Sequence, residues 1–73
     1  MPRYYFDWAL GDHRVADAVG FELPDDDSAR AHAETEIREL LETTMGKRLG
    51  KDCAIEVCDA RRDRLFRVSC KEV

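Results

Sequence analysis

The sequence predicts an α+β domain of order ββαββ, in which a four-stranded antiparallel sheet packs against one amphipathic helix. Three observations lead to this prediction. Apolar residues alternate over residues 3–10, 53–59 and 65–70, they recur at helical spacing from residue 29 onward, and turn residues separate these segments. A chain of 73 residues is long enough for a single domain, residues 1–73, with one small core.

The first hairpin is predicted from the alternation RYYFDWAL in residues 3–10. Its even-numbered side chains are apolar or aromatic, which is typical of a half-buried strand. The sequence Gly-Asp-His at residues 11–13 indicates a turn. A second strand is therefore expected from about His13 to Ala18, and Gly20 is expected to mark the bend where the chain leaves it.

The three consecutive aspartates after Pro24 are predicted to start the helix. Proline keeps Leu23 extended, Asp25 is the expected N-cap, and Asp26 and Asp27 lie where the positive end of the helix dipole favours acids. A calcium loop would need the ladder D-x-D-x-D-G with a distal glutamate, and the sequence does not have it.

The helix itself is predicted from an apolar stripe on one side of a 3.6-residue wheel. Gly46 and Gly50 flank a short basic segment, so the helix is expected to end between Met45 and Leu49. The stripe consists of Ala29, Ala33, Ile37, Leu40, Leu41 and Thr44.

The second hairpin is predicted from CAIEVCD at residues 53–59 and LFRVSC at residues 65–70. Joining their apolar faces sets Val57 opposite Phe66 and Ile55 opposite Val68. The same register sets Cys53 opposite Cys70 on the helix side, within the Cβ separation that a disulfide needs. With three cysteines in the chain, free thiols in a reducing compartment are expected, and a redox switch at this pair remains an alternative.

The expected core combines the apolar faces of the strands with the helix stripe. It comprises Tyr4, Phe6, Trp8, Val15, Leu23, Ala29, Ala33, Ile37, Leu40, Leu41, Ile55, Val57, Phe66 and Val68.

Charge and length restrict the functional classes. The net charge is −4; residues 22–42 hold eight acids against two arginines, and residues 45–73 hold eight bases against five acids. An acidic total disfavours broad nucleic-acid binding by this chain alone. No apolar run is long enough to span a membrane, and the start of the chain does not read as a signal peptide, so a cytoplasmic location is expected.

Several segments together resemble a known family. They are the opening MPRYYFD, the D…GFELPD segment (Asp17, Gly20, Leu23, Pro24 and Asp25), the A…RELL helix and AIEVCD. The chain is similar to a family of small alpha-proteobacterial proteins that is a domain of unknown function, whose members open MPRYFFD and carry ELPD before the helix. The resemblance implies a free-standing cytoplasmic protein with no assigned activity and no catalytic residues to transfer. Many members have a glycine-containing turn where this chain reads ARRD, residues 60–63.

Catalytic and metal sites are not expected. His13 and His32 are the only general-base candidates near neutral pH, and no cysteine is placed by the sequence beside either of them. The sequence contains no zinc motif, phosphate loop or nucleophile elbow. No cofactor is predicted, and a small enzyme that uses His13 or His32 is kept as an alternative.

The remaining expectation is a non-enzymatic interaction or regulatory module. If the helix covers one sheet face, the other displays possible contact residues: Arg3, Tyr5, Asp7, Glu56 and Arg67, with Cys58, Ser69 and Lys71. Tyr5 is the one aromatic residue among them, so an RNA-stacking platform is disfavoured. We expect a homodimer formed through a sheet edge or the uncovered face, and an unidentified protein partner is possible. The topology is also similar to small antitoxin domains, so a component of a nucleic-acid-binding regulatory complex is the alternative; that analogy of architecture does not fix function.

Overall fold

The computed structural model describes all residues, 1–73. The elements in chain order are β1 (Arg3–Leu10), β2 (His13–Val15), β3 (Phe21–Glu22), α1 (Asp26–Leu41), α2 (Thr44–Leu49), β4 (Cys53–Cys58), β5 (Arg64–Ser69) and a terminal 3-10 turn (Cys70–Glu72). The α+β class is confirmed, with the antiparallel sheet and one main helix between the two hairpins. The short strand β3 and the short helix α2 are additions to the predicted order.

The sheet joins the two hairpins through its two central strands. Its order is β2-β1-β4-β5, and β3 pairs with the start of β1. Strands β1 and β4 pair along their length, from Tyr5 opposite Cys58 to Leu10 opposite Cys53. All residues of β4 are buried, because β4 has a strand on each side and α1 packs against it.

The predicted register of the second hairpin is confirmed. Val57 lies opposite Phe66 and Ile55 opposite Val68. The Cα atoms of Cys53 and Cys70 are 5.4 Å apart and their sulfur atoms are within bonding distance, while Cys58 is free. Alternation along the strands thus places a cysteine pair on the helix side, as the sequence predicts.

The prediction of a second strand reaching Ala18 was wrong, because β2 ends at Val15. The chain turns away at Asp17, whose carboxylate accepts hydrogen bonds from three backbone N–H groups. It then returns to β1 through Gly20, which has φ +77°. A Cβ atom at Gly20 would lie 2.9 Å from the carbonyl oxygen of Tyr4, so this close return requires glycine.

The prediction of one helix reaching residues 45–49 was also wrong. Helix α1 ends at Leu41 and α2 starts at Thr44. Thr43 separates them, because its hydroxyl oxygen caps α2 by accepting from the Gly46 N–H at 3.1 Å, the role in which threonine competes with helix continuation. A Cβ atom at Gly46 would lie 2.0 Å from the Leu40 carbonyl oxygen, so Gly46 permits the close contact between the two helices.

The core lies between α1 and the inner face of β1, β4 and β5. The prediction that Val15 belongs to the core was wrong, because its side chain is 51% exposed. Helix α1 packs against β4 and β5 and leaves β2 uncovered. Trp8, Leu23, Leu40, Leu41 and Phe66 are half-buried. The buried core residues are Tyr4, Phe6, Ala29, Ala33, Ile37, Cys53, Ile55, Val57, Val68 and Cys70.

Candidate binding surfaces on the two sheet faces

The outer face of the sheet, opposite α1, carries a group of arginines around one carboxylate. Glu56 is at the centre of β4 and is only 8% exposed. Its Oε1 accepts a hydrogen bond from Arg14, and its Oε2 accepts from Arg64 at 3.4 Å and Arg67 at 3.2 Å. We call Arg14, Arg64 and Arg67 the arginine cluster.

Strand pairing explains why these side chains meet. Arg67 of β5 is directly opposite Glu56. Arg14 of β2 is paired with Ala9, whose short side chain lets the guanidinium reach across β1 to β4. Arg64 is paired with Cys58 because a bulge between Val57 and Cys58 shifts the register, and the shift directs Arg64 to the outer face.

The arginine cluster has more positive charge than its carboxylate neutralises. Three guanidinium groups face one carboxylate, and the side chains of Arg14, Arg64 and Arg67 remain 61%, 59% and 50% exposed. Each guanidinium has five N–H donors, of which Glu56 takes few. The cluster therefore keeps unused donors and a local excess of two positive charges toward solvent.

A second arginine contact holds the turn between β4 and β5 against β1. Arg62 donates to both oxygens of Asp7, at 3.1 and 3.0 Å, and to the carbonyl oxygen of Asp17 at 3.2 Å. Its guanidinium lies 4.5 Å from the centre of the Tyr5 ring. Arg62 has φ +68°, a conformation that favours glycine. It falls within the turn that reads ARRD, residues 60–63, and these contacts hold it there.

Asp17 accepts a backbone hydrogen bond in the middle of β1, between the residues that pair with β2 and those that pair with β3. Its Oδ2 accepts from the Phe6 N–H at 3.1 Å, and its Oδ1 accepts from the N–H groups of Val19 and Gly20, both at 3.0 Å. Burial alone would raise the pKa of Asp17, but the N–H groups of Gly20, Phe6 and Val19 lower it below its usual value. Asp17 is thus ionised and structural at neutral pH.

The aspartate run after Pro24 lies at the start of α1. Asp25 is the N-cap, and its carboxylate accepts from the Ser28 N–H at 2.8 Å. That N–H and the Ser28 hydroxyl lower the pKa of Asp25. Asp26 accepts from the Tyr4 hydroxyl at 2.8 Å; burial, with help from Asp26, raises the pKa of Tyr4 to about 12. The run therefore caps the helix and fixes it to β1.

The five predicted contact residues divide into three places. Glu56 and Arg67 belong to the arginine cluster, and Tyr5 and Asp7 are engaged by Arg62. Arg3 is at the far end of β1, bound to the Val19 carbonyl oxygen at 2.8 Å and to Glu22 at 3.3 Å.

Sequence reasoning missed Arg14, Arg62 and Arg64. The hairpin register would have placed Arg14 on this face, whereas the bulge that places Arg64 has no signal in the sequence pattern.

The two candidate histidines lie in different surroundings. His32 has Nε2 2.8 Å from Oε1 of Glu36, and its ring packs between Phe6 and Phe21 at centroid distances of 4.6 and 4.8 Å. His13 is exposed in β2. The free thiol, Cys58, has its sulfur 3.7 Å from Oδ2 of Asp7, and burial first and then Asp7 raise its pKa.

No three metal-ligating side chains converge in the structure. The helices are also too short and too polar to cross a membrane.

The inner face of the sheet has an apolar groove beside α1. Its volume is about 280 Å³, and its rim includes the carboxylates of Asp17 and Glu36. It exists because α1 covers β4 and β5 but leaves the end of β1 and β2 open. We call it the Trp8 groove; its apolar lining is Phe6, Trp8, Val15, Ala16 and Ala18.

Comparison with known proteins gives one match. Residues 3–71 match the family model of a domain of unknown function, DUF6894. No curated protein and no solved structure matches the chain.

Proposed function

Because the chain belongs to the DUF6894 family, a domain of unknown function, we propose a function from its own surfaces: a non-enzymatic interaction module that acts as a homodimer through the Trp8 groove. The observation that carries the proposal is the uncovered apolar lining, with Val15 51% exposed beside the half-buried Trp8. Covering these apolar side chains with a partner removes their surface from water. This removal lowers the free energy and favours association.

A second copy of the chain suits the groove because both carboxylates at its rim already have polar partners within the chain. The carboxylate of Asp17 already accepts three backbone hydrogen bonds, and that of Glu36 contacts His32. A twofold contact brings the same patch together from both copies. Two such patches join apolar lining to apolar lining, with the carboxylates at the rim.

The sheet edges are less suited to self-association. At one end of β5 a bulge breaks the regular pairing, and at the other end the Ser69 N–H donates to Oε2 of Glu72 at 2.7 Å. Bulges and satisfied donors are among the ways in which proteins protect an edge strand. The opposite edge, β2, is only three residues long, His13–Val15.

The experiment is sedimentation velocity over a concentration range from micromolar to millimolar. The wild-type protein is expected to dimerise, and Val15→Lys is expected to weaken the dimer at least about tenfold by placing a charge in the contact. The matched control is Val19→Lys, which changes a more exposed valine, 75% accessible and outside the groove lining. A wild-type monomer at millimolar concentration would sink the proposal, as would equal loss in the two variants.

A component of a nucleic-acid-binding regulatory complex is the second candidate. The excess positive charge of the arginine cluster favours it, because phosphate contacts by arginine supply most of the affinity for nucleic acid. The acidic total of the chain, −4, opposes it.

A further inference from the structure

We propose that the outer face of the sheet holds a binding site for a phosphate group, in a notch beside the arginine cluster. The site is on the face opposite the Trp8 groove, so it does not depend on the proposed dimer.

The notch has a volume of about 140 Å³. Ala9 of β1 and Ser69 of β5 line it, and both are paired with Ala54 of β4, which is fully buried between them. Three small side chains in one row across the sheet leave a depression, whereas the neighbouring row is filled by Asp7, Glu56 and Arg67. The row of small side chains therefore makes the notch, and Arg67 forms one of its walls.

Cations surround this notch. Lys51, Arg67 and Lys71 line it, together with the single carboxylate of Asp52. Arg14 is paired with Ala9 at the notch floor. The surplus of positive charge is local, in a chain whose net charge is −4.

Glu56 orients the arginine that lines the notch. Arg67 donates one N–H to the Glu56 carboxylate at 3.2 Å, which leaves the rest of its guanidinium fork available at the notch wall. The carboxylate is 11% exposed at the side chain and is shared with Arg14 and Arg64. A buried carboxylate that holds several guanidinium groups in place lowers the entropy cost of ordering them on a ligand.

A phosphate group fits this chemistry better than a carboxylate. A phosphomonoester carries a charge of about −1.5 to −2 at neutral pH and three acceptor oxygens, and the notch offers it one arginine and two lysines beside a single carboxylate. Arginine also pairs with phosphate through two parallel hydrogen bonds, while lysine adds a point charge.

The experiment is an NMR titration of the full chain with inorganic phosphate, compared with sodium chloride at matched ionic strength. Saturable shifts are expected for the amides of Ala9 and Ser69, which line the notch. Arg67→Ala and Lys71→Ala should each weaken binding about tenfold, the loss expected for one charge-assisted hydrogen bond. Arg61→Ala is the matched control, since it removes the same charge from a turn side chain that is 84% exposed, and it should leave the affinity unchanged.

Three further probes identify the source of the phosphate group: a phosphoserine peptide, a nucleoside monophosphate and a single-stranded oligonucleotide. The probe that binds more tightly than inorganic phosphate, with the same dependence on Arg67 and Lys71, names the ligand class; if none does, the free ion is the ligand. The proposal is overturned if phosphate gives no saturable shift beyond that of chloride, or if Arg61→Ala weakens binding as much as Lys71→Ala. Lys71 is exposed and outside the core, so its variant keeps the test valid should Arg67→Ala fail to fold.

Discussion

Asp17→Ala is predicted to be among the most destabilising polar substitutions in this chain. The carboxylate accepts three backbone N–H groups, from Phe6 at 3.1 Å and from Val19 and Gly20 at 3.0 Å. Alanine leaves all three donors without their acceptor. The Phe6 N–H suffers most, because it lies in the gap along β1 between its pairs with β2 and with β3.

The magnitude follows from the exposure of the donors. A hydrogen bond to a charged group contributes about 1.5–3 kcal/mol, and an unsatisfied buried donor costs about 1–3 kcal/mol. The Val19 N–H is exposed and water can replace the carboxylate there, so the sum is discounted to about 2–3 kcal/mol. For a domain of this size, each kcal/mol shifts the melting temperature by about 4–8 °C, which predicts a fall of about 10–20 °C.

Thermal and urea unfolding of Asp17→Ala measure this loss, with Asp12→Ala in the exposed hairpin turn as the control. Acid titration adds a second test. Because the folded-state pKa of Asp17 is lowered from the ordinary 3.8, its stabilisation is complete above that ordinary value and is lost as the pH falls through the lower folded pKa. Asp17→Asn should flatten this acid-dependent loss. The reasoning is refuted if Asp17→Ala costs no more than Asp12→Ala, or if the asparagine variant keeps the full acid dependence.

The remaining predictions concern the helix cap, the turn and the cysteine pair. Asp25→Ala should lower the melting temperature by a few degrees by removing the N-cap acceptor, and calcium or zinc should not raise the melting temperature of the wild type; a metal-dependent rise that Asp25→Ala abolishes would contradict the cap. Arg62→Gly and Arg62→Ala both lose the Asp7 contact, but only the alanine variant keeps the strain of a positive φ. Denaturant melts should therefore show the glycine variant to be more stable than the alanine variant by about 1 kcal/mol. Equal stability of the two variants would argue against that strain. Mild oxidation should join Cys53 to Cys70, which are 17 residues apart in the sequence, and peptide mapping identifies the bond. Denaturant melts should show that this disulfide stabilises the fold by about 3 kcal/mol. A bond to Cys58 would contradict the register.

The sequence by itself determined the features that depend on neighbours along the chain. The two-residue period of β1 and β5 fixes which side chains face the helix, and one apolar match then fixes the register of the second hairpin, including its cysteine pair. Pro24 followed by Asp25 determines the start of α1 in the same way, because a cap needs only the first-turn amides. These features follow from periodicity and capping, which act over a few residues.

Only the tertiary structure decided which strands are neighbours and where the helix lies across them. The pairing of β1 with β4 places Arg14 within reach of Glu56, 42 residues away. The lateral position of α1 over β4 and β5 exposes Val15 and opens the Trp8 groove, although alternation correctly puts Val15 on the apolar side. Periodicity specifies the face of a strand but not its neighbour or the place of the helix, since both depend on how a few apolar faces share one small core.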